Sequence, residues 1–218
     1  MQKLLTEGIG HTEFKDSEVG RIPVEWEVKT IDEISNKIVG GGTPSRKKDE
    51  YFKGRIPWIT VKDLDGAFYK SSAIEYITEE AIENSSASLI KRGAVIIATR
   101  MGLGRGFINT VDLSINQDMK ALTFKNDVLP EFFLYWYLSK AEFIEGLGKG
   151  STVKGIRLDE LRKLSLPIPV INEQSRICAI FSSIDNRLHE YSNMKEDAII
   201  LKKGLMQQLL TGKVRVMI

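Results

Sequence analysis

The chain has 218 residues, 42% hydrophobic and 28% charged, with a formal net charge of +2, so it can bury a core and is neither disordered overall nor basic all over. No apolar run approaches the roughly 18–20 residues that cross a bilayer, and the start lacks a basic region followed by an apolar stretch, so neither a membrane span nor a signal peptide is read. One cysteine, Cys178, and two histidines, His11 and His189, exclude a disulfide framework and argue against a Cys/His zinc site, and the chain is expected in the cytoplasm.

In chain order, the first feature is a repeat. Met1-Gln-Lys-Leu-Leu-Thr6 returns as Met206-Gln-Gln-Leu-Leu-Thr211, five of six residues identical at an offset of 205. A chain whose first residues repeat its last helical turns reads as one period of a tandem unit. Residues 7–30 form a polar lead-in ending in Ile22-Pro-Val-Glu-Trp-Glu-Val28. Strands are predicted at Pro57-Trp-Ile-Thr-Val61, Ala94-Val-Ile-Ile-Ala-Thr99 and Met119-Lys-Ala-Leu-Thr-Phe124. Loops such as Gly40-Gly-Gly-Thr-Pro-Ser45 and Gly102-Leu-Gly-Arg-Gly106 separate them. Leu129-Pro-Glu131 opens a helix running from Phe132 to about Glu145. It is apolar on nearly every side, which suits a buried core helix better than a stacking platform for bases.

Leu158 begins the second part. A short turn, Asp159–Leu164, leads to Leu166-Pro-Ile-Pro-Val170, where the prolines favour an extended linker. Asn172 is the expected cap of a long helix with Glu173 in its first turn. Its apolar positions are Ile177, Phe181, Ile184, Leu188, Tyr191, Met194, Ala198, Leu201, Leu205 and Leu209. Their mean step, about 3.56 residues, is close to the heptad value. A helix of this length spans roughly 55 Å and must bury its stripe on another helix. The chain offers no second long helix, so the partner is another protomer or another subunit.

No catalytic constellation is visible. The segments 102–106 and 146–150 resemble phosphate loops, but Lys149 is followed by Gly150, and Phe107 and Ser151 stand where the dinucleotide fingerprint needs its third glycine. Glu27 and Lys29 with Asp16 upstream form the nearest approach to a nuclease, yet Asp16 lies in a segment that does not read as a strand. What remains is a set of basic, hydroxyl-rich loops. Residues 46–62 hold six Lys/Arg against Asp49 and Glu50, and 91–111 hold four with no acid, whereas 75–83 hold four glutamates. Such segregation can present a positive face to a polyanion. Thr43, Ser45, Arg46, Lys47, Lys62, Arg100 and Arg105 can bind phosphate, as can Lys149, Ser151, Thr152 and Lys154 in the loop Gly148–Lys154. Asn116 and Gln117 carry amides able to read adenine.

Several motifs then resemble one family, the specificity (S) subunits of type I restriction–modification systems. They are Ile22-Pro-Val-Glu-Trp26, Gly41-Gly-Thr-Pro-Ser45, Ile56-Pro-Trp-Ile59, Asn116-Gln-Asp118, Gly148-Lys-Gly-Ser-Thr152 with Lys154-Gly-Ile156, Leu166-Pro-Ile-Pro-Val170 with Glu173-Gln-Ser-Arg-Ile177, and Leu201–Lys213. The resemblance covers nearly the whole chain. It implies a mixed α/β target-recognition domain followed by one long coiled-coil-forming α-helix. The divisions are the tail of a preceding spacer helix and lead-in (1–21), the recognition domain (22–157), the proline-containing linker (158–171) and the long helix with its tail (172–218). Full-length members carry two domains and two helices, so this chain resembles a half-size form. The resemblance further implies double-stranded DNA, methyltransferase (modification) subunits and a restriction subunit as partners, and a homodimer through antiparallel long helices reading a gapped palindrome. No cofactor is expected on this chain; S-adenosylmethionine, ATP and magnesium belong to partner subunits. The alternatives are a small nuclease and a helix-mediated protein-interaction module without DNA binding.

Overall fold

The computed structural model describes residues 2–148 and 155–211. The chain divides into two units, Met1–Cys178 and Ala179–Ile218. In chain order the elements begin with α1 (Gln2–Thr6), β1 (Phe14–Ser17), β2 (Gly20–Pro23), β3 (Glu27–Thr30), α2 (Ile31–Ile34) and β4 (Ser35–Gly40). Then come β5 (Ile56–Ile59), β6 (Tyr69–Lys70), β7 (Glu75–Ile77), α3 (Glu79–Glu83), β8 (Leu89–Ile90), β9 (Val95–Ala98), β10 (Gly106–Asn109), β11 (Leu113–Ile115) and β12 (Met119–Phe124). The last are α4 (Pro130–Ser139), α5 (Ala141–Leu147), α6 (Leu158–Arg162), β13 (Ser165–Ile168) and α7 (Ile171–Leu210).

The first unit is a mixed α/β body. Five strands form one sheet in the order β4-β12-β9-β10-β6, and four form a second in the order β7-β5-β11-β8. Ile59 and Ile115 of the second sheet pack with Ile96, Phe107 and Ala121 of the first, so the main core lies between the sheets. On β5 the side chains alternate: Ile59 enters that core, while Trp58 joins Tyr51, Ile77 and Ala81 in a second cluster. Strands β9 and β10 are buried at every position, which explains the unbroken apolar run of β9; the buried Asn109 that ends β10 is satisfied by Ala94 N and the Lys91 and Val111 carbonyls.

Residues Phe132–Tyr137 of α4 are all buried, so the expected core helix is present, but it stops early. Ser139 Oγ donates to Trp136 O at 2.7 Å, and the Lys140 N–H turns instead to Tyr137 O at 3.1 Å. Gly104 presses on the next turn, where a Cβ would lie 2.6 Å from the Ala141 Cα. The single helix expected over 132–145 is therefore two, α4 and α5.

Two segments are more regular than their composition suggests. The lead-in folds into the antiparallel β1–β2 hairpin, so Asp16 does lie on a strand, opposite Arg21. Its turn uses Gly20 at φ +105°, with Ser17 Oγ donating to Gly20 O at 2.5 Å. Main-chain pairing rather than apolar alternation makes this strand, so periodicity passes over it. The Leu166–Val170 stretch is extended, as its prolines require, but it supplies β13, which pairs with β3 and buries Leu166. It is part of the body.

The long helix begins one residue before the expected cap. Val170 O accepts the N–H groups of Glu173 and Gln174 at 2.9 and 3.1 Å, which places Asn172 inside the first turn. Glu173 and Gln174 are buried and fully engaged. The Glu173 carboxylate accepts from Ile9 N (2.9 Å), Trp26 Nε1 (3.0 Å) and His11 Nε2 (2.9 Å). Gln174 accepts from Leu129 N at 2.9 Å and donates to Asp127 O and Pro169 O, each at 2.8 Å. Of the apolar stripe, Ile177 and Phe181 are buried, whereas Ile184, Leu188, Tyr191, Met194, Leu201, Leu205 and Leu209 are exposed, as is Ala198. Among the described residues no helix is long and apolar enough to cross a membrane.

Removing the Glu173 carboxylate strands three donors at once, the Trp26 indole buried and those of Ile9 and His11 part-buried. Glu173→Ala is expected to destabilise the protein by about 3 kcal/mol or more in urea unfolding, and Glu173→Gln, which keeps one acceptor, by clearly less.

Candidate nucleic-acid interface

The loop after β4 is clamped by its two glycines. A Cβ on Gly41 would lie 2.1 Å from Ile115 O, and one on Gly42 would lie 2.2 Å from Ser86 O. Gly42 N donates to Ile115 O at 3.0 Å, and Trp58 Nε1 donates to Gly42 O at 3.0 Å. Glycine is needed here for close approach of backbones. Held this way, the loop buries Pro44 and exposes Thr43, Ser45, Arg46 and Lys47.

The β11–β12 turn, residues 116–118, is the hub. Asn116 N donates to Ile59 O at 2.9 Å, and Thr43 Oγ1 donates to the Gln117 side-chain carbonyl. The Asp118 carbonyl accepts from Thr99 N at 2.8 Å and Arg100 N at 3.2 Å, and its carboxylate lies 3.4 Å from the Arg100 guanidinium. Arg100 also bridges Gly155, and Ile156 N donates to Thr99 O at 3.0 Å. Residues that follow the 149–154 loop therefore return to the same edge. Lys149, Ser151, Thr152 and Lys154 themselves lie outside the described residues.

Lys62 joins from a short 3-10 turn, Val61–Asp63. Buried Asp63 accepts from Thr60 N (2.8 Å) and Ile74 N (2.7 Å), which fixes the turn and leaves Lys62 exposed. Val61 and Leu64 flank Gly102, where a Cβ would lie 3.4 Å from each. The 100–105 loop is thereby seated, with Leu103 buried and Arg105 exposed.

Two of the expected contact residues are committed internally. Arg46 makes a two-pronged pair with Glu75 (2.5 and 2.7 Å) and stacks over Phe52 and Trp58, 4.2 and 5.0 Å from the ring centres. The pair holds the Glu75 carboxyl below the usual range and raises the guanidinium. Asn116 is 7% exposed; its amide donates to Asp118 Oδ2 at 3.1 Å and accepts from Asp118 N at 3.2 Å. Gln117 is the exposed amide of the turn, and Lys47 forms no ion pair among the described residues.

Two residues here carry no sequence signal of their own. Lys120 on β12 sits opposite Gly40, and burial lowers its ammonium pKa. Met101 is the non-glycine residue with positive φ, +54°, and is 59% exposed. Lysine in a strand and methionine in a glycine loop are too ordinary to single out. Lys29, considered above for a nuclease, is held by Glu27 at 2.9 Å and Asp127 at 3.1 Å. Among the described residues no group of three His, Cys, Asp or Glu side chains could hold a metal ion.

The family pattern described as the type I restriction modification DNA specificity domain matches residues 23–199. The chain is 33% identical over 196 residues to the type I restriction enzyme MjaIX specificity subunit of Methanocaldococcus jannaschii, covering 88% of this chain and 44% of that one. It is 36% identical over 179 residues to the EcoR124I/EcoR124II specificity subunit of Escherichia coli, covering 79% and 42%. The HsdS subunit from Thermoanaerobacter tengcongensis shares the fold, with a TM-score of 0.64 over 89% of this chain and 47% of that one at 15% identity. The chain spans about half the length of the curated relatives it matches.

The Arg46–Glu75 pair carries a pH signature. Because the folded Glu75 carboxyl is depressed, its contribution is present above the ordinary carboxylate pKa of about 4 and is lost as pH falls through the folded value. Glu75→Gln should therefore flatten the acid limb of a melting-temperature profile below about pH 4, with a small effect at neutral pH because the pair is partly exposed.

Proposed function

This chain belongs to the type I restriction modification DNA specificity family, and we propose that it is the sequence-reading, non-catalytic part of such a complex, binding a double-stranded DNA half-site. The observation that carries this reading is that the 43–47 and 100–105 loops meet on the side chains and carbonyl of the 116–118 turn, with the 61–64 turn packed beside Gly102. Lys47, Lys62, Arg100 and Arg105 supply phosphate contacts, together with Lys149, Ser151, Thr152 and Lys154. Gln117, oriented by Thr43 and with no partner to its amide N–H among the described residues, reads a base edge, while Arg46 and Asn116 shape the edge from within. Ser45 adds a hydroxyl donor.

The exposed stripe supports the second half of the proposal. Two copies pair their long helices antiparallel, which sets two identical reading edges a fixed distance apart and selects a gapped palindrome. Methyltransferase and restriction subunits dock on this assembly and bring S-adenosylmethionine, ATP and magnesium.

Incubation of the pure protein with plasmid and magnesium tests the class: binding without cutting is expected, and cutting would overturn it. Gln117→Ala should relax discrimination at one base pair by about 1–3 kcal/mol. Lys62→Ala should weaken binding evenly across sequences and reduce the salt slope by about 0.9. Both are read from binding titrations over a range of salt. Leu188→Asp, at an exposed stripe position, should convert a dimer to a monomer in sedimentation equilibrium, and a wild-type chain that is monomeric at micromolar concentration would overturn the pairing.

A further inference from the structure

The loop that joins β9 to β10, residues 99–105, is tied into the fold at nearly every position. Thr99 N and Arg100 N donate to Asp118 O at 2.8 and 3.2 Å. Arg105 closes the turn, its N–H donating to Gly102 O at 3.1 Å and its carbonyl accepting from Ala98 N at 3.1 Å. Leu103 is buried, and Gly104 lies so close to α5 that a Cβ would meet the Ala141 Cα at 2.6 Å. Met101 is the exception. It forms no hydrogen bond among the described residues, and its side chain is turned to solvent.

Both its backbone and its surroundings set Met101 apart. Its φ of +54° lies in the left-handed region, which is unfavourable for a side chain of this size. Glycine occupies positions 102, 104 and 106, so the segment uses freely the residue that would relieve the strain, yet it holds methionine here. Backbone strain that the fold could have avoided clusters at functional sites. Among the described residues, Met101 is also the one large apolar side chain exposed by the loops around the 116–118 turn. Its exposed neighbours are the cations Arg100, Arg105 and Lys62. Phosphates bind the cations, whereas an unbranched, polarisable thioether suits an apolar surface. The apolar group that duplex DNA displays beside its hydrogen-bonding edges is the thymine methyl, in the major groove.

We infer that Met101 is a specificity-determining residue, its thioether packed on the methyl group of one thymine in the DNA half-site. Its place in the loops agrees. Arg100 and Asp118 are bonded to each other, and Met101 and Gln117 each stand one residue beyond that pair. An amide that reads an adenine through the major groove brings the thymine of the same base pair, with its methyl, within reach of a neighbouring side chain. The inference rests on the DNA-reading proposal above and adds an apolar contact to its polar ones.

The test offers the full chain duplexes of randomised sequence and then remakes the selected site with deoxyuridine in place of each thymine in turn, which removes the methyl group alone. At one position the replacement should weaken wild-type binding about fourfold, the worth of a single buried methyl group. Met101→Gly, in which glycine adopts the left-handed φ freely, should bind the thymine and uridine duplexes alike. Its salt slope should be unchanged, because no charge is lost. Met101→Leu should keep the preference for thymine. A selected site in which every uridine is tolerated, or a Met101→Gly protein that still distinguishes the two duplexes, overturns the assignment and leaves sequence reading by the other residues standing. A wild-type chain that selects no sequence from the random pool overturns the DNA-reading proposal itself.

Discussion

A buried carboxylate that cannot be left half satisfied governs this molecule. Glu173 stands in the first turn of α7 and takes three donors from the lead-in and from Trp26, while the adjacent Gln174 makes three bonds to loop carbonyls and an amide. A charge withdrawn from water is tolerable only when its lone pairs are filled. The arrangement therefore forms as a whole or not at all. It joins segments far apart in the chain, since His11 and Glu173 are separated by 162 residues, and it fixes where the long helix starts.

The loop edge proposed to read DNA is built differently. Its backbone is held because Gly41, Gly42 and Gly104 let chains approach more closely than a side chain permits, and because the Asp118 carbonyl ties down the start of the 100–105 loop. Its outward side chains, such as Lys47, Lys62 and Arg105, are left to solvent. Preformed loops with free polar ends lose little conformational entropy on binding a polyanion. The same division explains why two residues of the right chemistry, Arg46 and Asn116, act inward: each has found a partner that fixes a loop and would be costly to surrender.

The second unit shows the opposite imbalance. Its exposed leucines and isoleucines, with Tyr191 and Met194, recur along the helix, and burying each such side chain contributes roughly 1.5–3 kcal/mol. A band of this kind on a helix is an association surface. In the proposed antiparallel pair a two-fold axis would bring the same stripe to itself.

The heptad-spaced stripe, the buried aromatic helix and the apolar strands β5, β9 and β12 were all determined by the sequence by itself, because hydrophobic period is a local property that a few neighbouring residues declare. So was the basic, hydroxyl-rich character of the loops. Tertiary structure decided the rest. The β1–β2 hairpin and the β3–β13 pair depend on main-chain partners that composition does not announce. The break at Lys140 depends on Gly104 arriving from elsewhere in the fold. Whether Arg46 faces Glu75 or solvent, and how Thr43 holds the Gln117 side chain, is settled by contacts between residues distant in the chain. Residue type sets what a side chain can bond, but only the folded chain determines which partner reaches it first.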